Sequence, residues 1–323
     1  GVRVLRALDI EPRVWHINEG HSAFMVLERV HEYVEQGMSF EEARDRVRAS
    51  TIFTTHTPVP AGHDVFSFGL IDKYFHDFWS QLGLTRDDFL ALGSHDTGYG
   101  HAFNMTKLAL SLSDRANGVS ELHGEVSRHM WQNLWEKLDA DDVPIGHVTN
   151  GVHLPSWTGE AMHRLYRKYI SPDWIRRQDD PLLWARIEEI PDDELWEAHT
   201  YLKRKMFSTI RERARQDWIT RATPASQLLA SGIFLDPDAR VVGFARRFAT
   251  YKRANLIFQD IDRLLDLIHD PYRPVQFIFA GKAHPADDPG KLLLQRIYNS
   301  GRDPKFGGRI AFVEDYDMHV ARY

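Results

Sequence analysis

Apolar residues return along this chain with two periods. Short runs rich in β-branched and aromatic residues alternate with longer stretches whose apolar positions recur every three or four residues, so strands and amphipathic helices are predicted in turn. Residues 2–8 read as the end of a helix and 14–18 as a short buried strand. Glu19-Gly20-His21-Ser22 is a turn that opens a helix over 23–35. Ser39 followed three residues later by Glu42 is a capping box and starts a second helix. The β-branched run 51–55 is a strand, and the Pro- and Gly-containing stretch from His56 to Asp64 is held out of regular structure after it. Residues 68–92 read as helical and packed on the surface, 93–101 as a loop, 104–112 as an apolar helix, and 116–120 as a turn with a short strand. A helix over 121–138 and a strand from Ile145 that ends in the Asn150-Gly151 turn close this half.

From Pro155 to about Ala230 the pattern is helical, rich in Trp, Arg and acidic residues, with no strand before Arg240. A regular unit then follows: a buried strand 241–245, a helix 255–268, a strand 275–280, a helix 289–299 and a strand 309–313. This βαβαβ order predicts right-handed crossovers and a parallel sheet. The class is α/β, with no repeat and no low-complexity segment, and a domain boundary is expected near Asn150.

Composition sharpens this in a few places. At 323 residues two domains are expected. A net charge of −6 gives no polyanion-binding signal, so no nucleic-acid partner is expected and any anion site must be local. The absence of cysteine excludes disulfides and thiolate metal sites and fits a cytoplasmic protein. No apolar run reaches the length of a membrane span, so no membrane partner is expected. The chain starts at Gly1 without a signal peptide and stops at Tyr323 in a helix-like pattern, which reads as the middle of a longer protein.

The candidate chemistry centres on Val241–Ile257. An apolar run ends in Arg246 and Arg247, and Tyr251, Lys252 and Arg253 follow. Four cations this close repel one another unless an anion or carboxylates answer them. Ligands of open α/β sheets sit at the carboxyl ends of such strands. A helix N-terminus just beyond, with its positive dipole end, would favour an anion further. A phosphate site is the reading, because arginine forks hold phosphate in bidentate fashion and lysine acts as a point charge. His21 and His56 each follow a strand and open a polar loop. Either alone is more readily a hydrogen-bonded structural histidine, but with Glu19 and Asn150 they read as a polar cleft suited to sugar hydroxyls. His95, Asp96 and His101 share a loop, yet no HExxH-type spacing exists, so no metal is expected. GxGxxG, the P-loop motif and the GxSxG elbow are all missing. Gly281-Lys282-Ala283-His284-Pro285, after a strand, is either a simple turn or a second loop of the anion site.

These segments resemble the α-glucan (glycogen, maltodextrin or starch) phosphorylase family, glycosyltransferase family 35, in its short bacterial and archaeal branch. The resemblance runs along nearly the whole chain: from Val14 to Phe24, Thr54 to His63, Val148 to His153, the cationic stretch, Phe279 to Lys282, and Arg309 to Tyr316. It implies a GT-B fold, with two Rossmann-like domains facing a cleft. Residues 1–149 would be the C-terminal part of the first domain. Residues 150–323 would be a helical linker and the first βαβαβ half of the second. The implied reaction is phosphorolysis of terminal α-1,4-glucosidic bonds by inorganic phosphate, releasing glucose 1-phosphate. Pyridoxal phosphate is the implied cofactor, acting through its 5′-phosphate, with the attachment lysine expected beyond Tyr323 and the fragment itself expected to be inactive. By resemblance, Arg247 and Lys252 are ligands of the substrate phosphate, and Arg246 stands where better-known members carry a lysine near the cofactor phosphate. Tyr251 matches a residue touching the glucosyl unit, His56 the histidine beside the reacting glucose, and Asn150 the asparagine on its hydroxyls. Glu19 and His21 match an Asp and a His near the acceptor sugar. Ala249 and Thr250 replace a His-Glu pair, so regulation seen elsewhere in the family does not transfer. A homodimer is left open for the full-length protein. The residues themselves also admit a nucleotide-sugar GT-B glucosyltransferase, whose cations would hold a diphosphate, and a non-catalytic carbohydrate-binding protein.

Overall fold

The computed structural model describes residues 1–323 apart from 60, 61, 97, 99, 222, 223 and 286, and apart from the side chains of 221, 225 and 226. Pro60 and Ala61 of the His56 loop, Thr97 and Tyr99 of the 93–101 stretch, and Ala222 and Thr223 of the helical section therefore lie outside the described residues. Contacts divide the chain into two units, Gly1–Val152 and His153–Tyr323.

The first unit holds β1 (Trp15–Asn18), β2 (Thr51–Thr54), β3 (Val65–Phe66), β4 (Ser94–Asp96), β5 (His101–Asn104), β6 (Arg115–Gly118) and β7 (Ile145–His147). β1, β2, β6 and β7 form a parallel sheet in that order. Ile17 and Phe53 point from its strands into a core completed by Val26, Leu27 and Val30 of helix Phe24–Glu35 and by Ala43 and Val47 of helix Phe40–Ala49. The Ser39–Glu42 capping box starts the latter helix as the sequence predicts. Chain 68–92 departs from expectation. It is broken into Phe68–Phe75, Phe78–Gln81 and Arg86–Ala91, because Gly83 adopts φ 74° and Thr85 with Asp88 caps a new start. Nor is it a surface element: Ile71, Leu82 and Phe89 are buried, with Phe75, Phe78, Phe89 and Phe103 in ring contact. Part of the loop expected over 93–101 is strand: Ser94–Asp96 and His101 lie in β4 and β5, which pair antiparallel, with β3 on the far side of β5. Gly93 lets the Phe103 ring approach to where a Cβ would meet it at 2.7 Å. Of the turn and short strand expected at 116–120, residues 116–118 belong to β6. Gly118 there allows the helix Glu121–Trp131 to lie close, a Cβ being 2.8 Å from the Gly124 nitrogen.

In the second unit β8 (Arg240–Ala245), β9 (Val275–Ala280) and β10 (Ile310–Val313) form a parallel sheet in the order β10-β9-β8. The helices Ile261–His269 and Asp288–Arg302 connect the strands, which gives the predicted βαβαβ order. β9 is central and buried from Gln276 to Ala280, whereas β8 is an edge strand with no fully buried residue, so the buried strand expected at 241–245 is corrected. The helix expected from Asn255 begins only at Ile261, capped by Asp260, after a short 3₁₀ turn Leu256–Phe258. The helical section before the sheet has a small core of its own, where Ile170, Trp174 and Leu183 pack with Tyr166 and Trp184. It leads into the long helix Asp192–Arg221. Among the described residues no helix is long and apolar enough to cross a membrane.

Candidate functional site

The chemistry-bearing loops of each unit leave the carboxyl ends of its parallel strands, where open α/β sheets place their ligands. In the first unit β1 and β2 run in register with Asn18 opposite Thr54, so the residues just beyond them are neighbours. His16 Nε2 lies 2.7 Å from Thr54 Oγ1, and Thr54 Oγ1 lies 3.1 Å from Asn117 Oδ1, linking three strands at this edge. Glu19 follows β1 at φ 67°, the left-handed region that non-glycine residues rarely enter. One carboxylate oxygen accepts the backbone N–H of His56, and the other accepts the Thr57 hydroxyl at 2.8 Å. Burial alone would push this carboxyl up, but the His56 N–H, the Thr57 hydroxyl and the field of His63 outweigh it and hold it below the usual range.

Glu19 and His56 are thus brought into direct contact. His21 sits in the 3₁₀ turn Gly20–Ser22 immediately after Glu19, with its side chain exposed, as is that of His56. Asn150 lies beyond β7, where its backbone N–H bonds the Val119 carbonyl at 3.1 Å and its side chain is exposed. Two residues of this edge are not singled out as site candidates by the sequence. His63, 8% exposed, places Nδ1 2.9 Å from Thr106 Oγ1 and its ring edge-on to Trp131 at 5.0 Å. Burial pushes its pKa down against the pull of Glu19, so the neutral ring is favoured. Thr106 was reachable only through the close approach of Gly20, where a Cβ would be 2.9 Å from its hydroxyl. Among the described residues no three His, Cys, Asp or Glu side chains are grouped to hold a metal.

In the second unit the loop after β8 is locked to the loop after β9. Arg246 N–H bonds the Ala280 carbonyl at 3.1 Å, and Phe248 N–H bonds the Lys282 carbonyl at 2.9 Å. Gly281, at φ 150°, is required here because a Cβ would sit 2.0 Å from the Arg246 carbonyl oxygen. The cations do not stand at an α-helix N-terminus as expected. Thr250–Lys252 is a 3₁₀ turn closed by Arg253 at φ 53°, so charge, not a helix dipole, favours an anion there. Among the described residues, no carboxylate forms a salt bridge with Arg246, Arg247, Lys252 or Arg253. The pKa of half-buried Lys252 is lowered by burial first and then by the charges of Arg246 and Arg247. Its ammonium lies 5.7 Å from the Tyr251 ring. Lys282, after β9, and Asp315, after β10 at φ 49°, face each other at 4.0 Å along the same edge. Such a site can hold an oxyanion in a fork of guanidinium and ammonium groups.

The family model described as carbohydrate phosphorylase matches residues 9–323. Over its full length the chain is 42% identical to a glycogen phosphorylase of Aquifex aeolicus, covering 46% of that protein. It is 43% identical to a maltodextrin phosphorylase of Thermococcus litoralis, covering 37% of it. It is also 43% identical to a glycogen phosphorylase of Mycobacterium tuberculosis, covering 38%. The chain therefore spans less than half the length of these curated relatives.

Proposed function

The chain belongs to the carbohydrate phosphorylase family, and from that premise we propose that the full-length protein cleaves terminal α-1,4-glucosidic bonds of glycogen or maltodextrin with inorganic phosphate, releasing glucose 1-phosphate. The observation that carries the proposal is the set of cations beyond β8 that no described carboxylate answers, in a chain whose net charge is −6. In a protein of net negative charge, such an unanswered group of cations favours an anion at this site. The units are proposed as parts of two Rossmann-like domains of a GT-B enzyme, each supplying the loops at the carboxyl edge of its parallel sheet.

In this reading Arg247 and Lys252 hold the substrate phosphate, whose charge offsets the repulsion of Arg246 and Arg247 that adds to burial in lowering the Lys252 pKa. As the bond from the anomeric carbon to the leaving glucan oxygen breaks, the phosphate fixed beside it passes its proton to that oxygen, stabilises the positive charge that builds on the sugar, and then bonds to the anomeric carbon through one of its own oxygens. Tyr251 lies against the glucosyl unit, Asn150 and His56 meet its hydroxyls, and His21 lies toward the acceptor sugar. The donor set also fits a second phosphate, because Arg246 adds a guanidinium that the substrate phosphate does not use. Arg246 would hold the 5′-phosphate of pyridoxal phosphate, a group that supplies a proton donor and acceptor close to the substrate phosphate when bound.

The test is steady-state phosphorolysis by the full-length protein carrying Arg247→Ala or Lys252→Ala. Each change removes a charge-assisted contact of about 1.5–3 kcal/mol. Loss of kcat/KM for phosphate by about a hundredfold or more is expected. If both variants stay within about threefold of wild type, the assignment of the phosphate site is wrong.

A further inference from the structure

We infer that Glu19 is a positioning residue for the loop that carries His56, acting on the reaction through that loop and not by contact with a sugar. The inference rests on the proposed placement of His56 beside the reacting glucose. Family resemblance would put Glu19 among the acceptor-sugar ligands, but its geometry is turned the other way. The residue takes φ 67° and ψ 165°, a backbone region almost confined to glycine, so a side chain with a Cβ holds it only against strain. That conformation directs the carboxylate across the strand edge, where its two oxygens accept the His56 N–H and the Thr57 hydroxyl. The same residue's N–H bonds the Thr54 carbonyl at 2.9 Å, so Glu19 extends the β1–β2 ladder by one step and then clasps the chain that leaves it.

A second tie lies further along. His63 is fixed through Thr106, and the same threonine hydroxyl is the atom against which Gly20 packs. Residues 19–20 therefore meet the His56 loop twice: directly at its start, and at His63 through one side chain of the helix Met105–Ser111. A glutamate with both oxygens bound in this way sets where the His56 backbone stands.

Amide exchange of the 323-residue chain, read by NMR or mass spectrometry, tests this without reference to catalysis. In Glu19→Gln the carboxamide can keep its oxygen on the His56 N–H by turning its NH2 to the Thr57 hydroxyl, but the charge that strengthens both bonds is lost, so the His56 amide should exchange roughly three- to tenfold faster than in wild type. Thr57→Val removes one bond while leaving the charge, and should speed the same amide by about threefold or more. If Glu19→Gln does not fold, Thr57→Val decides alone. Exchange unchanged within about twofold in every folded variant overturns the inference.

Kinetics of the full-length protein form the second arm. Positioning predicts that both variants lower kcat with the glucan KM held within about threefold, and that the double variant loses less than the product of the two. A raised glucan KM with kcat intact in Glu19→Gln, together with wild-type behaviour of Thr57→Val, overturns it in favour of a sugar ligand. Absence of phosphorolysis in the wild-type full-length protein would strike the functional proposal, while the exchange result would still stand.

Discussion

Gly281 shows how much of the anion site hangs on a single missing methyl. Its φ of 150° and the 2.0 Å separation between a notional Cβ and the Arg246 carbonyl oxygen allow no other residue. Gly281→Ala must either strain the backbone or part the β8 and β9 loops, and a loss of about 2–5 kcal/mol is expected from strain and overpacking together. Gly243, in β8, has nothing within 4 Å of its notional Cβ, so Gly243→Ala should stay within about 0.5 kcal/mol of wild type. Urea unfolding of the two variants compares them, and equal stabilities would refute the role given to Gly281. His63 gives a residue-scale prediction of another kind. Its folded-state pKa lies below the ordinary 6.5, because burial disfavours the charged ring. Below that ordinary value the unfolded chain takes up a proton that the folded chain refuses, so this contribution to stability is complete above pH 6.5 and is lost as pH falls toward the folded value. His95 is shifted the same way, by burial and then by Lys107, and adds to the effect. Each histidine contributes a slope of at most about 1.4 kcal/mol per pH unit. Thermal melts at pH 7.5 and 5.5 should show a smaller acid-side drop for His63→Gln than for wild type.

At the scale of elements, the sequence was legible where one physical signal dominated. β9 and β10 consist of Ile, Phe, Val and Ala with Gln276 as the one polar letter and are buried along nearly their whole length, and β2 buries Phe53 together with Thr51 and Thr54. The capping box at Ser39 marks its helix directly. β4 was missed, and the strand expected within 116–120 begins one residue earlier at Arg115, because Ser-His-Asp and Arg-Ala-Asn-Gly carry no β-branched residues; pairing partners distant in sequence hold them, not local preference. The helix after the cations was placed too early because Leu256, Ile257 and Phe258 look like its first apolar turn, whereas Asp260 is the true cap. Site residues followed the same division. Glu19 and His56 were visible as polar residues straight after strands, but their contact depends on the β1–β2 register. Thr106 and the partnership of Gly281 with Arg246 depend on close approach, which no local pattern records. The apolar letters of β8 read as buried, yet only β9 among the described strands lies beside it, so burial could not be inferred from hydrophobicity alone.

For the whole molecule, the division at Val152 separates the two kinds of chemistry. Every residue of the Glu19–His56 clasp belongs to Gly1–Val152, and every cation of the proposed phosphate site belongs to His153–Tyr323. Each unit has a core and a parallel sheet of its own. Each should therefore keep its own behaviour when expressed alone. At constant ionic strength phosphate should raise the Tm of His153–Tyr323 beyond the effect of chloride, because it binds the folded cation group and not the unfolded chain. At ten times its dissociation constant the gain is about 1.4 kcal/mol. Arg247→Ala combined with Lys252→Ala should abolish that gain. Phosphate should do nothing beyond chloride for Gly1–Val152, while faster exchange of the His56 amide in Glu19→Gln should persist there. General stabilisation by an excluded anion would raise both units alike and ignore the two substitutions. A phosphate response shared equally by the two units, or surviving the double substitution, would therefore remove the observation on which the phosphate site rests.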